Sequence, residues 1–199
     1  MVGFREDLIL AWMPRQSLTV EFALEHLIHI ILLDNKGSPL LITFVYRHPD
    51  HAKRDLVWQQ LKTLKSRSHP NWLCIADFNQ VLSSQDKLPF NQGNIVGANL
   101  LQQVITDIHL CGLTATGQRY KWINNREEED LVMERLDKAF ATLEWVNMYP
   151  LYSLKNLPII HSDHGPIILD LEVLGPFRKG PFRFEHIWIT HPTCHDMIQ

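Results

Sequence analysis

Directly after the apolar run Trp72-Leu73-Cys74-Ile75-Ala76 stand Asp77, Phe78 and Asn79. A carboxylate and an amide two residues apart project to one side if the chain stays extended. At the C-terminal end of a buried strand, where sites of α/β sheets commonly lie, Asp77 is placed to act as a base toward water. Asn79 is placed to orient a phosphate or that water. A turn closed by Asp and Asn side chains accounts for the same pair equally well.

A second group, Ser162-Asp163-His164-Gly165-Pro166, precedes the last apolar alternation. An adjacent Asp and His give one hard oxygen ligand and one titratable donor. A serine hydrolase is disfavoured, because the chain has no G-x-S-x-G elbow and Ser162 adjoins its partners in sequence. A dinuclear zinc hydrolase is closer, since His161, Asp163 and His164 supply part of a His-x-His-x-Asp-His set. Ile159, however, stands at its first His. A magnesium phosphodiesterase needs only the Asp as ligand and the His beside the phosphate. The third group is Glu134-Arg135-Leu136-Asp137. Asp137 makes chemical sense if it receives a hydrogen bond from His164 and fixes that ring's tautomer; the plainer reading is a surface pair with Arg135, worth little.

The surrounding pattern must position these groups. Residues 7–12 and 18–23 read as strands separated by Pro14. Residues 26–33 and 40–46 read as a hairpin across Asp34-Asn35-Lys36-Gly37. Residues 52–65 carry Val57, Leu61 and Leu64 at the spacing of one helix face, and 98–110 do the same with Leu101, Val104, Ile105 and Ile108. Cys111-Gly112 is expected to close that second helix. Residues 72–76 form one continuous apolar run, the pattern of a strand buried on both faces. Residues 119–123 read as a short strand. For 132–141, periodicity leaves strand and helix both open. A short helix is expected over 144–148 and a final strand over 166–173. Gly175-Pro176 and Gly180-Pro181 mark a linker, giving a domain over 1–174 and a peripheral tail over 175–199. Interspersed strands and helices, with hairpins as well as crossovers, point to a mixed architecture.

The 199 residues are 45% hydrophobic and 21% charged, enough for a sizeable core in one domain. No apolar run is long enough to span a bilayer, and no basic segment leads into an apolar stretch as in a signal peptide. Three scattered cysteines fit neither a disulfide framework nor a zinc cluster and favour a reducing compartment. A net charge of -3 argues against a general nucleic-acid coat but not against a nuclease, which needs only local positive charge. Lys62, Lys65 and Arg67, and Arg178, Lys179 and Arg183, are the candidate patches; solvated surface is the simpler reading of each.

Taken in order, W-L-C-I-A-D-F-N, R-L-D-K-A and S-D-H-G-P-I resemble the endonuclease/exonuclease/phosphatase superfamily, the DNase I-like enzymes. Phe44-Val45-Tyr46-Arg47-His48-Pro49 is similar to the strand of that family that carries a phosphate-side Tyr. Leu82-Ser83-Ser84, Tyr120-Lys121-Trp122-Ile123-Asn124, Glu144-Trp145, and Phe182-Arg183-Phe184-Glu185 with Trp188 resemble the form that precedes the reverse transcriptase in plant LINE-type retrotransposons.

The resemblance implies an α+β fold of two packed mixed β-sheets flanked by helices, a four-layer sandwich, here with its first strands missing. It implies Mg²⁺-dependent hydrolysis of a DNA phosphodiester, with Mn²⁺ as the alternative ion. Asp77 would activate water, Asn79 position the phosphate, and Asp163 help hold the metal. His164 would donate to the phosphate, Asp137 orient His164, and Tyr46 contact the phosphate. The implied partners are DNA and a reverse transcriptase domain of a longer polyprotein, not a membrane. The implied location is intracellular, in the nucleus.

The family's Asn-bearing strand and its principal metal-binding Glu have no counterpart ahead of residues 7–12. A weak or inactive enzyme is therefore expected, and a non-catalytic remnant acting as a binding module is the alternative. Ala76 stands where the family usually has Gly. Lys121 stands where it usually has Thr, a change that would either disturb contact with the DNA backbone or add a phosphate contact.

Overall fold

The structure is a computed structural model that describes residues 2–5, 8–46, 54–65, 70–89, 95–126 and 128–172. The expected linker and tail over 175–199, with Arg178, Lys179 and Arg183, lie outside the described residues, as do Arg67 and the Arg47-His48-Pro49 segment.

The centre is a six-stranded mixed sheet in the order β3 (Leu18–Leu24), β4 (Leu27–Leu33), β5 (Pro39–Tyr46), β6 (Trp72–Asp77), β12 (Asp137–Ala141) and β8 (Cys111–Gly112). The expected hairpin is β4–β5, turned at Asp34, whose carboxylate accepts from the N–H groups of Lys36 and Ser38 at 2.9 and 2.7 Å. β5 and β6 run parallel, joined by a crossover through α1 (Arg54–Lys65). β12 runs antiparallel to β6. The ambiguous stretch 132–141 is thus two strands, β11 (Met133–Glu134) and β12.

Alternation along these strands builds two separate cores. Leu41, Val45, Trp72, Cys74 and Phe140 face α1 and α2 (Ala98–Asp107), packing on Val57, Leu61, Leu101 and Val104. Ile42, Leu73, Ala139 and Ala141 face the opposite way, toward Leu113, Leu154, Ile167 and Leu169. Leu154 lies on β13 (Ser153–Asn156), the middle strand of a second sheet ordered β14 (Ile167–Asp170), β13, β9 (Ala115–Gly117). α3 (Leu143–Met148) adds Trp145 to the same interior and is capped by Thr142, whose hydroxyl accepts from the Trp145 N–H. Two packed sheets flanked by helices are the α+β sandwich expected from the sequence. A small sheet, β10 (Trp122–Ile123), β11 and β7 (Lys87–Leu88), flanks them, and β1 (Val2–Arg5) pairs with β2 (Leu8–Ala11).

One local expectation is corrected. α2 ends at Asp107, and His109 takes the left-handed turn with φ of 57°; Gly112 lies beyond it in β8, opposite Phe140. Lys62 and Lys65 both bind Asp107 at the surface, in keeping with the simpler solvated-surface reading. The Lys62 ammonium is 2.7 Å from the carboxylate and that of Lys65 is 2.6 Å from the backbone oxygen. They place two cations on the negative end of α2 and tie the helices together.

Candidate phosphoryl-transfer site

The polar groups gather where the layer between the two sheets runs out of apolar residues. Tyr46, Asp77 and Asp137 are register partners across β5, β6 and β12. Partners in register share a face. These three continue the rows Ile42–Phe44, Leu73–Ile75 and Ala141–Ala139 that form the inter-sheet core. The same alternation that buries those rows therefore sets a half-buried Tyr and two carboxylates side by side at the C-terminal ends of the parallel strands.

Past Asp77 the chain leaves the extended form, and Asn79 adopts a φ of 44°. The Asn79 backbone N–H donates to Asp77 Oδ1 at 2.8 Å and its Nδ2 to Oδ2 at 3.0 Å. The two side chains meet through this turn, not through a continued strand, so the turn and the site are one arrangement. Behind it the Phe78 ring is fully buried, edge-on to Phe140 at 5.1 Å and stacked toward Trp58 at 6.3 Å.

His164 comes from the loop between β13 and β14. It bridges to Trp122 of β10, and the Ile123 N–H donates to the Asp163 carbonyl at 3.0 Å. Its Nδ1 lies 3.2 Å from Asp137 Oδ2, and its Nε2 is 3.9 Å from Asp77 Oδ2. A carboxylate at Nδ1 fixes the tautomer with a proton there. The hydrogen bond to Asp137 outweighs burial and raises the His164 pKa. Burial, reinforced by the charge of Asp137, pushes the Asp77 carboxyl up to about 6, against the hydrogen bond from Asn79. A carboxylate titrating near neutrality beside a readily protonated imidazole is a matched base and acid.

Asp163 behaves differently. It is exposed and lines an open depression of about 710 Å³ with Gln118, Ile123, Met133 and His161. Among the described residues, Asp77, Asp137 and His164 form a group able to hold a cation, with ligand atoms within 4.8 Å of one another; neither Asp163 nor His161 belongs to it. This removes the support for a His-Asp-His zinc set. Ser162 is no nucleophile poised on His164 either: its hydroxyl accepts from the His164 backbone N–H at 3.3 Å and lies 3.4 Å from Asp163 Oδ1.

Two buried lysines complete the surroundings. Lys138, on the opposite face of β12, donates to the Gln80 carbonyl at 2.9 Å and to the Arg135 carbonyl, and lies 3.8 Å from Asp86. Burial lowers its pKa to about 8, with Asp86 opposing. It ties the segment after Asp77 to the segment before Asp137, a part that sequence reading missed. A lysine between Asp137 and the apolar residues Ala139–Ala141 was the available signal. Lys121 is fully buried, with its ammonium on the Leu157 and Pro166 carbonyls at 3.1 and 2.6 Å, so it offers no open phosphate contact.

No protein-family model matches the chain, and no curated protein matches it. Among solved structures it is similar to the endonuclease domain of TRAS1, a telomere-specific non-LTR retrotransposon. The TM-score is 0.67 at 13% identity, over 84% of this chain and 74% of that one. Fainter likenesses are to the human nocturnin catalytic domain with bound sulfate (TM-score 0.39, 11% identity, 78% of this chain and 59% of that one). Another is to an endonuclease/exonuclease/phosphatase family protein from Bacteroides thetaiotaomicron (TM-score 0.34, 17% identity, 71% and 52%). The TRAS1 likeness shows a shared fold, the DNase I-like α+β sandwich.

Proposed function

We propose that this chain is a phosphodiesterase domain of the endonuclease/exonuclease/phosphatase superfamily, of the LINE retrotransposon type, that nicks DNA by metal-assisted hydrolysis. The observation that carries this reading is the meeting of Asp77, Asn79, Asp137 and His164 at the polar end of the inter-sheet layer. Asp77 takes the proton of the attacking water. His164, held by Asp137, donates to a phosphate oxygen as charge grows there. Asn79 and Tyr46 border the phosphate. DNA in the nucleus as substrate, and a reverse transcriptase domain as neighbour in a longer polyprotein, belong to the same proposal.

A hard divalent cation, Mg²⁺ or Mn²⁺, fits the residues present only loosely. Mg²⁺ keeps much of its water shell and binds through one or two carboxylates plus substrate phosphate. Asp77 and Asp137 lie in the cation-capable group with His164, and Asp163, exposed beside His164 but outside that group, offers a further carboxylate. Asp77 and Asp137 are already engaged by Asn79 and His164. When bound, the cation would neutralise charge on the phosphate oxygens. The activity is accordingly weak as well as metal-dependent.

The test is nicking of supercoiled plasmid with enzyme in excess over DNA, with Mg²⁺ or with EDTA, beside an Asp77→Ala control. Slow nicking that needs millimolar-range Mg²⁺ and vanishes in the control is expected. Nicking that survives in the control, or none with enzyme in excess, would sink the reading. The latter result would favour a non-catalytic binding module.

A further inference from the structure

We infer that Lys121 is a positioning residue, a buried ammonium that clamps the neck of the loop carrying Asp163 and His164 and so sets His164 against Asp137. The loop 157–166 is closed where the Leu157 N–H donates to the Pro166 carbonyl at 2.9 Å. The Lys121 ammonium bridges the carbonyls of those same two residues. Its backbone adds a third tie, for the Lys121 carbonyl accepts from the Gly165 N–H at 3.0 Å. Lys121 itself is anchored by its N–H to Glu134 of β11 at 2.9 Å. A side chain of β10's neighbour thus holds both ends of the loop, one residue from the Trp122–His164 bridge.

Glycine at 165 is part of the device. A Cβ there would lie 2.7 Å from both the Leu157 oxygen and the Lys121 ammonium, so any larger residue displaces the clamp. A buried ammonium has three donors to satisfy, and the two carbonyls take two of them only while the neck is closed. The loop is otherwise exposed, with His161 at a φ of 55°, and has little apolar packing of its own to keep His164 within hydrogen-bond reach. Any consequence for turnover rests on the phosphodiesterase reading; the clamp itself does not.

The test compares the full chain with its Lys121→Met, Lys121→Gln and Gly165→Ala variants by amide hydrogen exchange and plasmid nicking. Methionine keeps the bulk and removes the donors. It should speed exchange at Leu157, Gly165 and Ile123 by at least about tenfold while the β5–β6 ladder stays protected. Glutamine, a shorter donor, should restore part of the protection. Gly165→Ala should loosen the same amides, and adding Lys121→Met to it should change little further. In nicking, kcat should fall with KM for DNA nearly unchanged, whereas loss of a phosphate contact would raise KM. Unchanged neck exchange in a folded Lys121→Met chain would overturn the clamp, as would equal acceleration of the ladder amides. Neck-selective exchange in a chain that does not nick would support the clamp and sink only the nuclease reading.

Discussion

Asp77→Asn is expected to cut metal-dependent nicking by roughly 10²- to 10⁴-fold, the usual worth of a positioned general base, and at the same time to make the folded chain more stable near neutral pH. Both effects follow from one environment. Asp77 ionises with a folded pKa of about 6, against an ordinary value of 3.8, chiefly because it is buried and also because Asp137 stands beside it. The folded chain therefore holds that proton more tightly than the unfolded chain does. Where the folded state binds more protons, stability falls as pH rises. The Asp77 contribution is fully present below 3.8 and is lost as pH climbs through about 6.

Asparagine carries no charge and escapes this penalty. His164 acts in the same sense, its contribution present at low pH and fading through its raised pKa, but Asp137 is its main cause and remains in the variant. Urea-unfolding midpoints measured across this range should show wild type losing ground to Asp77→Asn as pH rises. Parallel curves, or a variant that still nicks at the wild-type rate, would mean that Asp77 is neither destabilised nor the base.

Trp72→Ala is expected to give the largest stability loss, about 3–5 kcal/mol, out of the roughly 5–15 kcal/mol a domain commands. Trp72 is completely buried at the start of β6, on the helix-facing side of the sheet. Its indole Nε1 donates to Thr43 Oγ1 at 2.8 Å, and that hydroxyl lies 2.8 Å from His29 Nδ1. The histidine is buried, its pKa lowered by that burial, and stacked on Phe22 at 5.0 Å. Truncation removes the ring's contacts and a donor from this chain at once, so the cavity term and the polar term add. Denaturant titration of the variant at neutral pH gives the loss directly. A loss of only about 1 kcal/mol would show that β6 can collapse onto α1 without the ring.

Residues buried on both faces were the easiest to read. The run 72–76 sends Trp72 and Cys74 to the helices and Leu73 and Ile75 to the second sheet, so every position had to be apolar. The chemical groups were equally legible, since the resemblance of their motifs to a known family implies that Asp77, Asn79, Asp137 and His164 act together. Where sequence reading stopped, a distant partner was deciding the matter. β9 and β13 are only three and four residues long, with Leu154 their main apolar contribution, and they hold together by pairing with each other across some forty positions of chain. No local period reveals that. The stretch 132–141 was ambiguous because β12 is buried on both faces, with Lys138, Ala139, Phe140 and Ala141 buried in succession, so it shows no alternation.

Asp163 was grouped with His164 by adjacency, yet consecutive residues of a loop face different ways. Its orientation toward the depression is set by β10 and by the neck of the loop, neither of which the S-D-H-G motif encodes. The sequence likewise places Lys121 at a contact with the DNA backbone or phosphate. Only the tertiary contacts with Leu157 and Pro166 show it turned inward.

The central claim is that the Asp77–Asn79 turn, Asp137 and His164 act as one phosphate site. The most direct measurement is ¹H–¹⁵N shift mapping of the Asp77→Asn chain, which leaves its substrate intact, on titration with a short DNA duplex in Mg²⁺. Shifts concentrated at Asn79, His164, Gly165 and Ile123, and at Tyr46 on the neighbouring strand, are the expected result. Shifts centred instead on the apolar groove between Phe22 and Leu64 on the helix side of the sheet, or no shifts at all, would contradict it.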